Sequence, residues 1–186
     1  MDERTAVFEE QRTHLRAVAY RMLGTVHEAD DALQETWLRL ARSDVSEVDN
    51  LPAWLTTVLS RVCLDHLRAR ASRREDLGAD PSAVVDVAPD PAAEAEHADE
   101  VGRALMVVLD TLAPAERLAF CLHDLFGLSF DEVAATLGRS PVACRQLASR
   151  ARRRVRGQGE GVEVDRARQR EVVEAFIYAS RHGRLY

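Results

Sequence analysis

The sequence predicts an all-α protein built from two small helical domains joined by an acidic linker. Apolar residues recur at the spacing of a helix face on both sides of residues 75–100. Aromatic residues make up only 5% of the chain, so we expect a core of leucine, valine and alanine, which favours packed helices over a β-sandwich. Glycine and proline stand where such helices would begin or end, at Gly24, Pro52, Pro114, Gly127, Gly138 and Pro141.

Three helices are predicted in the first domain, residues 1–74. The first helix, which should end at Gly24, carries one apolar face: Phe8, Leu15, Ala19, Met22 and Leu23. The second helix carries a similar face: Ala29, Ala32, Leu33, Trp37 and Leu40. The third begins near Pro52, ends in an arginine-rich tip and has the longest apolar stripe: Trp54, Leu55, Val58, Leu59, Val62 and Leu67.

The acidity of the chain comes from the predicted linker, residues 75–100. The formal net charge of the whole chain is −6, and this segment contains nine acidic residues, no arginine and three of the six prolines. A charged, proline-containing segment without a sustained helical period is typical of a spacer between domains.

Four helices are predicted in the second domain, residues 101–157. The first is apolar and periodic, and Pro114 opens the second at a position where a helix tolerates proline. Ser129 and Glu132 form a capping-box pair for a short third helix. Ser140 is the expected N-cap of the fourth helix.

The third and fourth helices of this domain together predict a helix-turn-helix. The short helix ends at Leu137, a tight turn at Gly138 follows, and the next helix is rich in arginine and small polar residues. Residues 133–157 carry seven arginines and no acidic residue. The last helix would be about 24 Å long, enough to lie in a DNA major groove. A solvated basic helix end, an RNA contact and an acidic-protein contact are the alternatives.

The predicted DNA-binding residues lie on one side of this last helix and at its start. They are Arg139, Ser140, Pro141, Ala143, Arg145, Gln146, Ser149, Arg150 and Arg153. Arginine can read guanine and glutamine can read adenine through paired hydrogen bonds. Further arginines are expected to meet phosphates: Arg152, Arg154 and Arg156. The opposite side should anchor the helix in the core through Val142, Cys144 and Leu147 or Ala148.

Two long stretches carry a resemblance to a known family. LAPAERLAFCLHDLFGLSFDEVAATLGRSPVACRQLASRARRRV resembles the C-terminal DNA-binding domain of the extracytoplasmic-function sigma factors of bacterial RNA polymerase, in the sigma-70 family. FEEQRTHLRAVAYRMLGTVHEADDALQETWLRLARSDVSEVDNLPAWLTTVLSRVCLDHLRARASRRE resembles their N-terminal domain. ACRQL followed by RAR is similar to the subgroup with a SnoaL-like C-terminal extension, and the tail, residues 158–186, resembles the first helix of that extension.

The resemblance implies a promoter-specificity subunit that binds core RNA polymerase and directs transcription initiation at minus-10 and minus-35 DNA. The C-terminal domain would read the minus-35 element. In the family the second helix docks on the clamp coiled coil of the polymerase, and the matching residues are Asp30, Asp31, Gln34, Glu35, Trp37 and Leu38. An ordinary solvated helix face is the alternative interpretation.

The third helix and the loop before it match the family's region that captures the minus-10 element as it melts. The matching residues are Asn50, Trp54, Arg61, Asp65 and Arg68. The chain has few aromatic residues to expose, so pocket recognition of a base is more plausible than stacking. Trp54 also fits a core position. In the family the linker threads through the polymerase, so the resemblance implies the same for residues 75–100. A flexible, soluble spacer would explain the composition of this segment equally well.

Nothing in the sequence indicates catalysis, a metal site or a cofactor. The chain has no lysine, which excludes a phosphate-loop or Schiff-base lysine. The chain has three cysteines that lie far apart in the sequence: Cys63, Cys121 and Cys144. None of them belongs to a set of ligands with the spacing of a metal site, and their positions on apolar faces predict buried thiols. No signal peptide or apolar run long enough for a membrane is present, so a cytoplasmic protein is expected. An anti-sigma factor or another regulatory domain is a further expected partner.

Two other functions compete with this interpretation. A helix-turn-helix repressor or activator that acts without polymerase should dimerise and bind a palindrome unaided. A small hydrolase or isomerase using a SnoaL-like pocket would need roughly a hundred more residues for its sheet domain.

Overall fold

The computed structural model describes residues 3–76 and 105–157, and every regular element within these ranges is helical. This agrees with the predicted fold class. The helices are α1 (Glu3–Leu23), α2 (Val26–Arg42), α3 (Leu51–Asp76), α4 (105–110), α5 (Pro114–Phe120), α6 (Phe130–Leu137) and α7 (Pro141–Gly157). The tail and all but the first two residues of the predicted linker lie outside the described residues. No helix within those ranges is long and apolar enough to cross a membrane.

Helices α1, α2 and α3 pack on one another through the apolar faces that the sequence predicts. The turn between α1 and α2 forms at Gly24, whose φ of 98° is in the left-handed region. Thr25 then caps α2, because its side chain accepts a hydrogen bond from the backbone N–H of Glu28. Trp37 of α2 packs against Phe8 of α1, with 5.1 Å between the centres of the two rings.

The turn before α7 forms through the local signals that the sequence carries. Ser129 and Glu132 make both hydrogen bonds of a capping box at the start of α6. The Ser129 hydroxyl and the Ser129 N–H both donate to the Glu132 carboxylate, and these two bonds lower the pKa of the Glu132 carboxyl. Gly138 ends α6 with a φ of 63°, and the Ser140 hydroxyl accepts from the Ala143 N–H at 3.2 Å. These features confirm the predicted caps and the glycine turn.

One irregularity was not foreseen from the sequence. Helix α5 continues as a π-helical turn over Cys121–Leu125, where the N–H of Phe126 donates to the carbonyl of Cys121. A π turn inserts one extra residue into a helix and so rotates the side chains that follow. Asp124, within this turn, faces the core and α7.

The two domains pack against each other and share one hydrophobic core. Helix α3 of the first domain contacts both α5 and α6 of the second. The ring of His14 meets that of Phe126 edge to face, with 5.8 Å between centroids, and burial of the imidazole lowers the pKa of His14. The sequence predicts two domains, but it does not show that they dock.

A buried guanidinium lies at the junction between the domains. Arg117 of α5 is 1% exposed and donates to Asp110 and, at 3.4 Å, to the Arg21 carbonyl at the end of α1. Arg70 of α3 approaches the same cluster and donates to the Leu23 carbonyl at 3.3 Å and to Asp110 at 3.4 Å. The junction therefore combines apolar contact with charged hydrogen bonds.

The left-handed backbone at Gly138 gives a direct test of the turn before α7. A Cβ at this position would meet no atom within 4 Å, so Gly138→Ala should destabilise the protein only through its backbone, by about 1 kcal/mol. Gly157→Ala is the matched control because Gly157 also has free space and is not in the left-handed region. Urea unfolding should show a lower midpoint for Gly138→Ala alone; equal midpoints would contradict this account of the turn.

Candidate nucleic-acid interface

Helix α7 presents one buried and one exposed side. Its buried residues are Cys144, Leu147, Ala148, Ala151 and Val155, so Cys144, Leu147 and Ala148 are anchors as predicted. The prediction for Val142 is wrong, because its side chain is 58% exposed. Val142 lies three and four residues before Arg145 and Gln146, which puts all three on one helix face.

The predicted DNA-binding residues of this region form a continuous outer surface. Seven of them are exposed: Arg139, Ser140, Arg145, Gln146, Ser149, Arg150 and Arg153. Pro141 and Ala143 are half-buried at the start of the helix. Among the residues that the structure describes, no ion pair engages Arg139, Arg153 or Arg156. These three guanidiniums are therefore available to an external anion.

Other arginines of α7 are paired with buried carboxylates of the same domain. Arg154 lies 2.7 Å from Glu116, and Arg152 lies 2.9 Å from Asp124. The two carboxylates are only 7% and 6% exposed. A buried carboxylate is strongly destabilising without a charged partner. Arg152 and Arg154 therefore brace α7 from inside the domain, and the expectation that they also meet phosphates stays a prediction; the Arg154 side chain is 52% exposed.

Arg150 is exposed but also lies near Glu116, the carboxylate that Arg154 binds. Its Nε lies 3.6 Å from the second oxygen of Glu116, yet its side chain remains 51% exposed. This is longer than a hydrogen bond, so the contact is a weak electrostatic one. Arg150 can turn toward a ligand without leaving Glu116 unpaired, because Arg154 stays bonded.

Arg145 rests on an aromatic platform that the sequence does not reveal. Its guanidinium carbon lies 5.7 Å from the centre of the Phe130 ring, within the range of a cation–π contact. Phe130 stacks on His123 with 3.8 Å between ring centres, and Nδ1 of His123 lies 2.8 Å from the Leu128 carbonyl oxygen. The stack restricts the orientation of Arg145 on the exposed face. Its members come from α6, α7 and the π turn, so spacing along the chain gives no signal for it.

The predicted polymerase-binding residues of α2 share one surface but differ in exposure. Asp30, Asp31, Gln34 and Leu38 are exposed, whereas Glu35 and Trp37 are half-buried. Leu38 is 44% exposed and adds an apolar side chain to this surface. The surface thus combines carboxylates, an amide and an apolar contact.

Two of the carboxylates on α2 already have intramolecular partners. Arg16 donates to both oxygens of Asp30, at 2.6 and 3.0 Å, and these bonds hold the pKa of the Asp30 carboxyl below its usual value. Glu35 accepts from Arg39 at 2.6 Å and lies 3.4 Å from Nε2 of His66. Asp31 makes a single ion-pair contact with the described residues, a long one of 3.7 Å to the exposed His27 ring.

The predicted minus-10 residues are not gathered in one place. Asn50 caps α3 by accepting from the Ala53 N–H at 3.0 Å, and Trp54 is half-buried against the core. Asp65 and Arg68 are exposed neighbours, 3.8 Å apart, on the outer side of α3. Arg61 points instead toward the second domain.

Arg61 connects the first domain to the helix-turn-helix. It donates to the Ala135 carbonyl at 2.8 Å and to the Thr136 carbonyl at 3.2 Å. Both carbonyls belong to the last turn of α6, where a helix has unsatisfied acceptors and a partial negative charge. The guanidinium therefore caps the helix that precedes the recognition turn.

The described part of the chain offers no arrangement for metal binding, since no group of three or more potential ligands comes together there. All three cysteines are free and buried. Burial raises the pKa of the Cys121 thiol to about 12 and also raises that of Cys63. Such thiols are poor nucleophiles and poor metal ligands.

Two family models match the chain, and they correspond to the two helical domains. Sigma-70 region 2 matches residues 7–73, which include α1, α2 and most of α3. Sigma-70 region 4 matches residues 102–155, which include α4 to α6 and nearly all of α7.

Known relatives agree with these matches. The probable ECF RNA polymerase sigma factor SigI of Mycobacterium tuberculosis is 40% identical, over 99% of this chain and 65% of SigI. The ECF RNA polymerase sigma factor EcfG of Rhodopseudomonas palustris is 36% identical, over 74% of this chain and 75% of EcfG. The crystal structure of the extracytoplasmic function sigma factor SigJ of M. tuberculosis is similar with a TM-score of 0.57 and 41% identity, over 81% of this chain.

The chain spans 65% of SigI and 52% of the solved SigJ chain. EcfG is covered over three quarters of its length at 36% identity. Both sigma-70 regions, in this order, and a relative matched over most of its length identify the chain as a member of the extracytoplasmic-function sigma factors of the sigma-70 family.

Proposed function

We propose that this chain is a promoter-specificity subunit that binds core RNA polymerase and directs initiation at promoters with minus-10 and minus-35 elements. The observation that carries the proposal is the exposed face of α7, which follows a capped glycine turn and carries several guanidiniums that form no ion pair with any residue the structure describes. The chemistry of transcription would belong to the polymerase, and this chain would supply the choice of promoter.

The domain of residues 101–157 is proposed to read minus-35 duplex. Arg145, held by Phe130, and the adjacent Gln146 and Ser149 would face base edges in the major groove. Arg139 and Arg153, at the two ends of this surface, would contact phosphates on either side of the groove. Because phosphate contacts release counterions, binding should weaken steeply as salt rises.

The domain of residues 1–74 is proposed to bind polymerase through α2. Asp31, Gln34 and Leu38 are exposed there without the strong internal bonds that engage Asp30 and Glu35. A carboxylate beside an apolar side chain suits a partner surface that has an arginine next to a hydrophobic pocket. Glu35 and Trp37 would then support this surface from behind.

Minus-10 recognition by the same domain is proposed to require separation of the two domains. Arg61 uses two of its guanidinium nitrogens to bond α6, so turning its side chain fully toward DNA would require these two bonds to break. The two promoter elements are about 25 base pairs apart, roughly 85 Å in B-DNA at 3.4 Å per pair. A linker over residues 75–100 could extend to about 90 Å at most, which is enough to join separated domains.

The tail, residues 158–186, is proposed to begin a SnoaL-like extension. Its resemblance to the first helix of that extension supports this, as does the match to SigI and SigJ, which are longer than the regions they share with this chain. Such an extension, or an anti-sigma factor, would be the regulatory partner of the two domains.

Removing the side chains of Arg145 and Gln146 should reduce transcription from the promoter but leave binding to core polymerase unchanged. We expect Arg145→Ala with Gln146→Ala to lower run-off transcription at least tenfold, since each lost base contact is worth about 1–3 kcal/mol. The template is a genomic fragment that the wild-type chain transcribes with core polymerase. Glu10→Ala with Thr13→Ala, both exposed on α1, is the control and should transcribe normally. Wild-type transcription by the double variant would refute the role given to α7.

Reversing the exposed charge of α2 should have the opposite effect. Asp31→Arg should weaken binding to core polymerase by about tenfold or more, because a like charge would then face the partner. Glu10→Arg makes the same charge change on an exposed position of α1 and should bind normally. Affinity is measured by pull-down and fluorescence anisotropy at low salt. If the two variants bind core polymerase equally well, α2 is not the docking surface.

Separation of the domains can be followed by energy transfer between dyes. We expect the transfer between dyes at Glu47→Cys and Val107→Cys, both exposed positions, to fall when core polymerase is added. The native thiols are buried and should not react under native conditions. Adding albumin instead of polymerase is the control. Unchanged transfer in a complex confirmed by gel filtration would show that the domains remain docked.

A further inference from the structure

Val142 is an exposed apolar side chain on an otherwise polar and basic surface. It is 58% exposed, the largest value among the three large apolar residues that are exposed within the described ranges. Core packing does not account for it, because Cys144, Leu147 and Ala148 already anchor this part of α7. Its position, three residues before Arg145 and four before Gln146, places it on the face proposed to meet DNA.

The surroundings of Val142 favour DNA over a protein as its partner. Residues 133–157 contain no acidic side chain, and exposed Arg139 and Arg145 lie before and after Val142 on the same surface. A polyanion is therefore attracted to this end of α7. Residues near the start of a recognition helix are the ones that reach base edges.

We infer that Val142 contacts the 5-methyl group of a thymine in the minus-35 duplex. This methyl group is the one apolar feature that a base presents in the major groove. Valine is β-branched, so its side chain loses little conformational freedom when it forms such a contact. The inference rests on the proposed function, because it needs α7 to lie in a major groove.

The helix geometry also limits where this thymine lies. Three residues of α-helix rise about 4.5 Å along the axis, which is between one and two base-pair steps of about 3.4 Å. The thymine therefore lies within two base pairs of the base contacted by Arg145. Val142 makes this position selective for thymine over bases that lack a methyl group.

The test uses the full chain bound to core polymerase. Duplexes are first selected from a library with a randomised window of twelve base pairs upstream of a constant minus-10 region. Each thymine of the selected window is then replaced in turn by deoxyuridine, which lacks only the methyl group. We expect one replacement, within two base pairs of the Arg145 position, to weaken binding about threefold to fivefold, the loss for one buried methyl group.

Variants assign this effect to the side chain. Val142→Ala should bind the thymine duplex about threefold to fivefold more weakly and should no longer distinguish thymine from deoxyuridine. It should fold normally, because the residue is exposed and alanine favours the helix, and a thermal melt checks this. Val107→Ala, which truncates a valine on α4 that is 50% exposed, should retain both the affinity and the discrimination.

The outcomes separate this inference from the proposed function. Sequence-specific binding with unchanged discrimination in Val142→Ala overturns the thymine contact and leaves the proposed function in place. An equal loss on thymine and deoxyuridine duplexes, or weaker binding to core polymerase alone, also overturns it, since Val142 would then contact protein. Failure of the wild-type complex to select any window sequence overturns both.

Discussion

The pairing of two buried carboxylates with arginines of α7 is the constraint on which the exposed face of that helix depends. Glu116 and Asp124 lie in the interior of the second domain, and each would be strongly destabilising without its guanidinium. Arg152 and Arg154 therefore help to hold the fold. Together with the buried apolar side of α7, these ion pairs fix the helix with Arg145, Gln146 and Ser149 outward. The arginines of α7 are thus of two kinds: some pair with buried carboxylates, and others are exposed without such a partner among the described residues.

Arginine has a second structural use where the domains meet. Arg61, Arg70 and Arg117 each donate to backbone carbonyls at the C-terminal ends of helices, where acceptors are unsatisfied and the helix dipole is negative. A flat guanidinium with several donors can serve two such acceptors at once, as Arg61 does. In a chain without lysine, the same residue type holds the fold together and supplies the exposed positive charge. Composition alone therefore overstates how much positive charge is available to DNA.

Local signals in the sequence predict the helices and their caps because those features depend on neighbouring residues. The Ser140 cap, the capping box at Ser129 and the glycine turn at Gly138 are all of this kind. What the sequence could not supply depends on contacts between distant residues. The π turn rotates Asp124 toward Arg152, the aromatic stack under Arg145 joins three separate elements, and Val142 is exposed because other residues already fill the core beneath it.

The interior position of Arg117 affects how readily water can enter between the domains. Its side chain is 1% exposed, and its Nε–H has no hydrogen-bond partner among the described residues. Hydration of this group on separation would supply the missing partner and offset part of the penalty for exposing apolar surface. A contact made by leucine alone would gain nothing from solvent. The Arg117 hydrogen bonds therefore fix how the two domains fit together, and hydration of its guanidinium lowers the free energy needed to separate them. Both properties suit two domains that are proposed to dock and separate.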